Sequence, residues 1–241
     1  MTRLDDPVLV AAEYADDARL RRRAAAYTGV GTAVDARGAV VAAVAEAAPE
    51  RVLEVGCGWG ELARWIAADV GAAVVAIDLS PHMVELARAN GVDAEVADVQ
   101  ELPFADGSFD VAVAAWMLYH VPDRDRALSE VARVLRPGGR LVAVTNSVLH
   151  LHELRELVGS GSSTISFSRE SGVDLLGRHF ARVERRDIDG ELEFVDRAAV
   201  EEYVRASISM SPFVANLPAR VDEPFRARRA NSIFVAEKDA R

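Results

Sequence analysis

Three glycines fall within five positions of the stretch VLEVGCGWGELARWIA, at Gly56, Gly58 and Gly60. A residue with a Cβ keeps a ligand some ångströms from the chain; glycine removes that barrier and tolerates positive φ. Placed between an apolar run and an amphipathic segment, such a turn invites a ligand close to backbone at a helix N-terminus. The same pattern also serves a plain tight turn. Two carboxylates sharpen the reading. Asp78 closes the next apolar run, VVAIDLS, 18 positions past Gly60, where it can accept both hydroxyls of a ribose. It could instead cap the helix that follows, although Ser80 ahead of Pro81 suits that purpose better. Asp98 closes the run after that, AEVADVQELPF, where it can accept from an adenine amino group while Val99 offers a backbone amide.

The ligand is narrowed by what the motif lacks. A dinucleotide-binding turn has a third glycine where this chain has Glu61, a carboxylate that would repel a pyrophosphate, and no P-loop stretch occurs. A nicotinamide-dependent oxidoreductase would share the scaffold but meets that objection. S-adenosylmethionine meets the requirements, having ribose, adenine and a positive sulfonium but no phosphate. A non-catalytic or repurposed protein that keeps this cofactor as a ligand stays open as an alternative.

Positioning these groups needs strands that end together. Apolar runs RVLEV, AAVVAID, DAEVAD, DVAVAAWM and GRLVAVTN alternate with helical stretches at 59–69, 80–90 and 123–136. The runs are continuous, as expected of strands covered on both faces. Their spacing implies right-handed crossovers and a doubly wound, mostly parallel sheet. Further strands are expected at 181–188 and 231–238, making seven. Helices are expected over 8–27, 34–47, 148–158, 169–179 and 196–207. Segment 1–48 reads as an N-terminal helical cap and 49–241 as the core, with a lid insertion at 190–228 before the last strand.

The 241-residue chain is 50% hydrophobic and 27% charged, with 28 basic and 38 acidic residues and a formal charge of −10. That balance disfavours a nucleic-acid partner. The single cysteine, Cys57, admits no intrachain disulfide and suits a reducing compartment; it reads as a small apolar filler. With no long apolar run, no membrane association and a cytoplasmic location are expected, as a monomer or homodimer. No metal is expected, since the histidines and acids lack ligand spacing.

The stretches VLEVGCGWGELARWIA, VVAIDLSPHMVELAR and DVQELPFADGSFDVAVAAWMLYHVPDRDRALSEVARVLRPGGRLVAVT together resemble the class I S-adenosylmethionine-dependent methyltransferases, in the branch of the ubiquinone and menaquinone C-methyltransferase-like proteins. The resemblance is strong over about residues 50–147. It implies a Rossmann-like methyltransferase fold and methyl transfer to a small-molecule acceptor. It also implies that Gly56, Gly58 and Gly60 pack against the methionine part of the cofactor with Glu54 beneath them. Asp78 would take the ribose, with Leu79 and Met83 bordering the adenine and Asp98 and Val99 at its edge. Ala115 and Trp116 would lie beside the transferable methyl group. The helix EYADDARLRRRAAAY resembles a cap closing over the cofactor, with Arg23 and Tyr27 inward and Arg23 placed to take the methionine carboxylate.

His120, just past the fourth strand, is the first choice of general base if one is needed, with Tyr119 beside it as pocket wall. His150 follows the fifth strand on the same edge. Phe167, Tyr203, Met210 and Phe213 supply apolar and adaptable surface for the acceptor. Methylation of O or N is favoured over C, in a setting of bacterial secondary metabolism.

Overall fold

The computed structural model describes residues 4–27, 36–161 and 165–240. Strands β1 (Arg51–Val55), β2 (Ala73–Asp78), β3 (Asp93–Val96), β4 (Phe109–Ala115), β5 (Leu135–Asn146), β6 (Arg182–Phe194) and β7 (Phe225–Glu237) form one seven-stranded sheet in the order 3-2-1-4-5-7-6. β1 to β5 pair in parallel, and β7 runs antiparallel to both β5 and β6. The expected doubly wound, mostly parallel sheet is thus present.

Both faces are covered, which is why the strand sequences are continuously apolar. Val52, Val111, Val113, Val142 and Val144 pack against α3 (Ala36–Ala45) and α4 (Glu61–Val70). α5 (Pro81–Ala89) extends that layer through Val84 and Ala87. Leu53, Val55, Ala112, Ala114 and Leu141 face α6 (Arg124–Val134) and α8 (Gly172–Leu176). The chain order reverses direction between β1 and β4. At such a switch point the crossovers leave on opposite faces and open a crevice at the strand ends.

Several elements differ from the sequence-based expectations. Segment 8–27 is two helices, α1 (Pro7–Glu13) and α2 (Ala18–Ala25), rather than one. Asp16 Oδ1 accepts the Ala18 N–H at 2.9 Å, a local bond that competes with a continuous helix. The break frees the Tyr14 carbonyl to accept from Ser80 Oγ at 2.7 Å, tying the cap to the core. α3, within the segment expected to form the cap, lies in the core layer instead. The helix expected over 148–158 begins only at His152 as α7 (His152–Val158), behind Leu151 at φ 54°.

The strands flanking the insertion are longer than expected, pairing from Arg182 with Glu237 to Phe194 with Phe225. Their charge-rich ends obscure the alternation that buries Ile188, Leu192 and Phe194. Residues 190–194 and 225–228 of the expected lid are therefore strand, and α9 (Arg197–Ala206) occupies the segment between.

Candidate functional site

A cavity of about 510 Å³ opens over the carboxyl ends of β1 to β4, with Leu20 and Arg23 of α2, Arg155 of α7 and Tyr203 of α9 also in its wall. This volume suits a cofactor or drug-sized molecule. Of the residues singled out from the sequence, Arg23, Tyr27, Glu54, Gly56, Gly58, Asp78, Leu79, Asp98, Val99, Ala115, Trp116, Tyr119, His120, His150, Tyr203 and Met210 line it.

Four do not. Gly60 packs inward: a Cβ there would meet Val92 Cγ2 at 2.7 Å, so its φ of +78° serves the contact between the turn and the start of β3. Met83 is fully buried on the inner face of α5, filling the core. Phe167 is likewise fully buried, its ring tilted against Phe234 with centroids 5.8 Å apart. Phe213 packs into the apolar cluster around Leu192 and Val204. In each case the aromatic, sulfur or glycine signal reports packing.

At the glycine end, Gly58 sits at φ +55°, and a Cβ there would meet only Leu20 Cδ2, at 3.9 Å. Bare backbone therefore faces the cavity. Asp78 holds the turn: Oδ2 accepts the Gly58 N–H and Oδ1 the Ser80 N–H, each at 2.9 Å. Burial raises the Asp78 pKa, and these backbone bonds oppose the rise. Each carboxylate oxygen keeps a second acceptor site for a ligand hydroxyl. Asp98 is engaged by Gln100, whose backbone N–H donates to Oδ1 at 2.8 Å.

Glu54 is buried in β1, and its pKa is pushed up to about 8 by desolvation and by the nearby Asp78 charge. Its Oε2 is buried without a hydrogen-bond partner, an arrangement that calls for a donor. Trp116 closes β4 at φ +54°, a strained conformation for a bulky residue that clusters at ligand sites. Cys57 is buried, and desolvation pushes its thiol up, away from nucleophilic use.

Glu61, read from the sequence as a bar to pyrophosphate, is ion-paired with Arg37 at 2.8 Å, so its charge is partly offset. Its side chain nonetheless stands where a dinucleotide turn needs glycine.

The cap reaches the site through its arginines. Arg23 Nη1 donates to Glu13 Oε1 and, at 2.6 Å, to the Ala206 carbonyl in α9. Arg19 Nη1 lies 3.0 Å from Glu13 Oε2. Arg23, expected to take the cofactor's carboxylate, uses Nη1 to meet the buried Glu13 carboxylate, which requires a counter-ion. Arg23 thus links cap to lid.

Two histidines carry opposite tautomers. His120 Nδ1 lies 2.8 Å from the Leu4 carbonyl, which only accepts, so Nδ1 bears the proton and Nε2 accepts from the Tyr14 hydroxyl at 2.9 Å. His150 Nδ1 accepts the Ala230 N–H at 3.1 Å, so its Nε2 donates to Tyr27 Oη at 3.1 Å. Burial lowers the two imidazoles to about 4 and about 3 respectively, keeping both neutral near pH 7. Burial raises the Tyr14 phenol to about 12 and also raises Tyr27 and Tyr203. His120 Nε2 is thus a hydrogen-bond acceptor from Tyr14, and His150 Nε2–H a donor to Tyr27.

Sequence reasoning did not single out Arg155 and Arg229, which also line the cavity. The signal was faint: in LHELRELV one cation sits beside the apolar stripe Leu151, Leu154, Val158.

An open α/β sheet with bare backbone and acids at the ends of β1 to β3 defines a protein that binds an adenosine-containing ligand carrying no pyrophosphate. Residues 53–143 match the family described as Methyltransferase domain. Over 152 residues the chain is 38% identical to Methyltransferase GfsG of Streptomyces halstedii, covering 59% of this chain and 54% of that protein. It is 35% identical over 157 residues to the ubiquinone/menaquinone biosynthesis C-methyltransferase UbiE of a Geobacter strain, covering 57% and 66%. It is 43% identical over 102 residues to the 27-O-demethylrifamycin SV methyltransferase of Amycolatopsis mediterranei, covering 39% and 38%. The matched stretches therefore span between 38% and 66% of the length of these curated relatives.

Among solved structures, the YcgJ protein of Bacillus subtilis superposes with a TM-score of 0.60 at 20% identity, covering 84% of this chain and 99% of that one. The [4+2]-cyclase SpnF superposes with a TM-score of 0.63 at 20% identity, covering 96% of both. The core of this chain, residues 53–143, matches the methyltransferase domain and is similar to class I S-adenosylmethionine-dependent methyltransferases.

The residues present fit that family's cofactor, S-adenosylmethionine. The open space at Gly58 admits close approach, the unpartnered Glu54 Oε2 would accept from the α-ammonium, and Asp78 would hold the ribose hydroxyls.

Proposed function

We propose that this protein transfers a methyl group from S-adenosylmethionine to a small organic acceptor, with O- or N-methylation ahead of C-methylation, in bacterial secondary metabolism and in the cytosol. The observation that carries the reading is the division of one cavity. Glu54, Gly58, Asp78 and Asp98 line it from β1 to just past β3, and Leu151, Ile165, Tyr203, Ile208 and Met210 line it from the segments after β5. Relatives named for O-methylation, including one acting on a rifamycin, support the chemistry and the setting.

When bound, the cofactor supplies a methyl carbon activated by positive sulfur, which needs no enzyme nucleophile. What the chain must contribute is alignment, worth roughly 7–11 kcal/mol of barrier. Trp116 and Tyr119 line the same cavity, as do Leu20 and Ala24 of α2. Where the acceptor gives up a proton, Tyr14 Oη receives it and passes its own to His120 Nε2, with Nδ1–H held on Leu4.

The test is incubation of the full chain with methyl-labelled cofactor and panels of phenolic, amine and enolic acceptors. Label in an acceptor is the expected result. Tight S-adenosylhomocysteine binding without transfer to any panel would overturn the reading in favour of a non-catalytic cofactor protein.

A further inference from the structure

Apart from Arg23 and Arg37, which are paired with Glu13 and Glu61, the charges bordering the cavity are segregated. Glu54, Glu61, Asp78 and Asp98 come from β1, the start of α4, and the ends of β2 and β3. Arg155 and Arg229 come from α7 and β7, and both also act on the His150 that faces the lid. Glycine-end acids suit a cationic cofactor; the opposite end is set for the other sign.

Arg155 is the critical residue there. Its polar contacts are two neutral oxygens, the His150 carbonyl 3.4 Å from Nε and Ser209 Oγ 3.3 Å from Nη1, both long. Among the described residues no carboxylate pairs with it, and burial lowers its pKa from the ordinary arginine value. A desolvated guanidinium without an anion is costly, and its planar fork matches a carboxylate in bidentate fashion.

A second donor points the same way. The Ala230 N–H fixes the His150 tautomer, His150 Nε2–H donates to Tyr27, and the Tyr27 and Tyr203 hydroxyls lie 3.1 Å apart, where either can donate. Tyr27, already accepting from His150, is free to donate to Tyr203, and the Tyr203 proton can then turn to the cavity that Tyr203 lines. Ile165, Ile208 and Met210 supply apolar wall around these donors.

We propose that the methyl acceptor is an apolar molecule bearing a carboxylate, anchored by Arg155 with the Tyr203 hydroxyl as second donor. This rests on the methyl-transfer reading above and assigns the substrate class of that same cavity.

The experiment uses the full chain saturated with S-adenosylhomocysteine and two matched probe pairs, 4-hydroxycinnamate with its amide and octanoate with octanamide. Calorimetry should give at least tenfold tighter binding of the acid in one pair or both. Arg155→Met should abolish that preference, Arg155→Lys should keep part of it, and both should bind S-adenosylhomocysteine within about threefold of the parent. Absence of acid preference in both pairs, including failure of every probe to bind, overturns the proposal. So does an Arg155→Met protein that loses S-adenosylhomocysteine affinity while still preferring acids, which would give Arg155 to the cofactor's carboxylate. Turnover is not read in these titrations, so acid preference without methyl transfer would count against the catalytic reading alone.

Discussion

The buried carboxyl of Glu54 ties cofactor binding to a proton. Desolvation, with Asp78 adding to it, pushes its pKa up to about 8. At pH 7 such a group is protonated in about nine molecules of ten. A cofactor ammonium on Oε2 favours the carboxylate and draws the pKa back toward the ordinary value of about 4.3. Binding S-adenosylhomocysteine at pH 7 should therefore release about 0.9 proton per site, falling to about 0.1 at pH 9, where the free protein is already ionised.

His120 and His150, at about 4 and about 3, stay neutral over this range and add nothing. Titration calorimetry in two buffers of different ionisation enthalpy reads the proton count directly, and Glu54→Gln should remove the release while keeping the side chain's shape. Equal release in the parent and in Glu54→Gln, or none in either, would refute the reasoning. The sign also fixes stability. The folded pKa lies above the unfolded one, so the folded state holds the extra proton between about pH 4.5 and 8. Stability from this group is fully present below that window and declines as pH rises through it, with a slope of at most about 1.4 kcal/mol per pH unit that Glu54→Gln should remove.

Three further outcomes are expected. Asp78→Ala should weaken S-adenosylhomocysteine binding about 10²- to 10⁴-fold, from the loss of two charge-assisted bonds of about 1.5–3 kcal/mol each; unchanged calorimetric affinity would remove Asp78 from the ribose. His120→Ala and Tyr14→Phe should each slow turnover about 10²- to 10⁴-fold, with cofactor affinity nearly intact and no further loss in the double variant. An unaffected rate in either would take the pair out of the mechanism. In the parent, this imidazole should leave the rate level down to about pH 5, since it gains its proton only near 4. Gly58→Ala should lower cofactor affinity with a modest stability loss of about 1–2 kcal/mol, whereas Gly60→Ala, driven into Val92, should lower the melting temperature more; the reverse order would show their roles misassigned.

The core of this protein was legible in one dimension because its signals are local. Continuous apolar runs, helix punctuation and the spacing of Gly58, Asp78 and Asp98 are properties of single strand-turn-helix units, and a parallel sheet brings consecutive strand ends to one edge. Where a residue type has two uses, sequence could not choose between them. Gly60, Met83, Phe167 and Phe213 have the composition of a binding wall but pack into the interior, because which side of an element meets the cavity depends on neighbours far away in the chain.

The same holds for charge and protons. Arg23 meets Glu13 and the Ala206 carbonyl, the latter 183 positions away, and this is decided by how the cap folds back after its break near Tyr14. The opposite tautomers of His120 and His150 follow from whether each ring nitrogen meets a carbonyl, at Leu4, or an N–H, at Ala230. Sequence by itself determined the sheet, the glycine turn after β1 and the acids that flank it. Tertiary structure alone decided the acceptor end, because desolvation, ion pairing and hydrogen-bond direction there arise between α2, α7, α9 and β7, segments whose meeting no local pattern encodes.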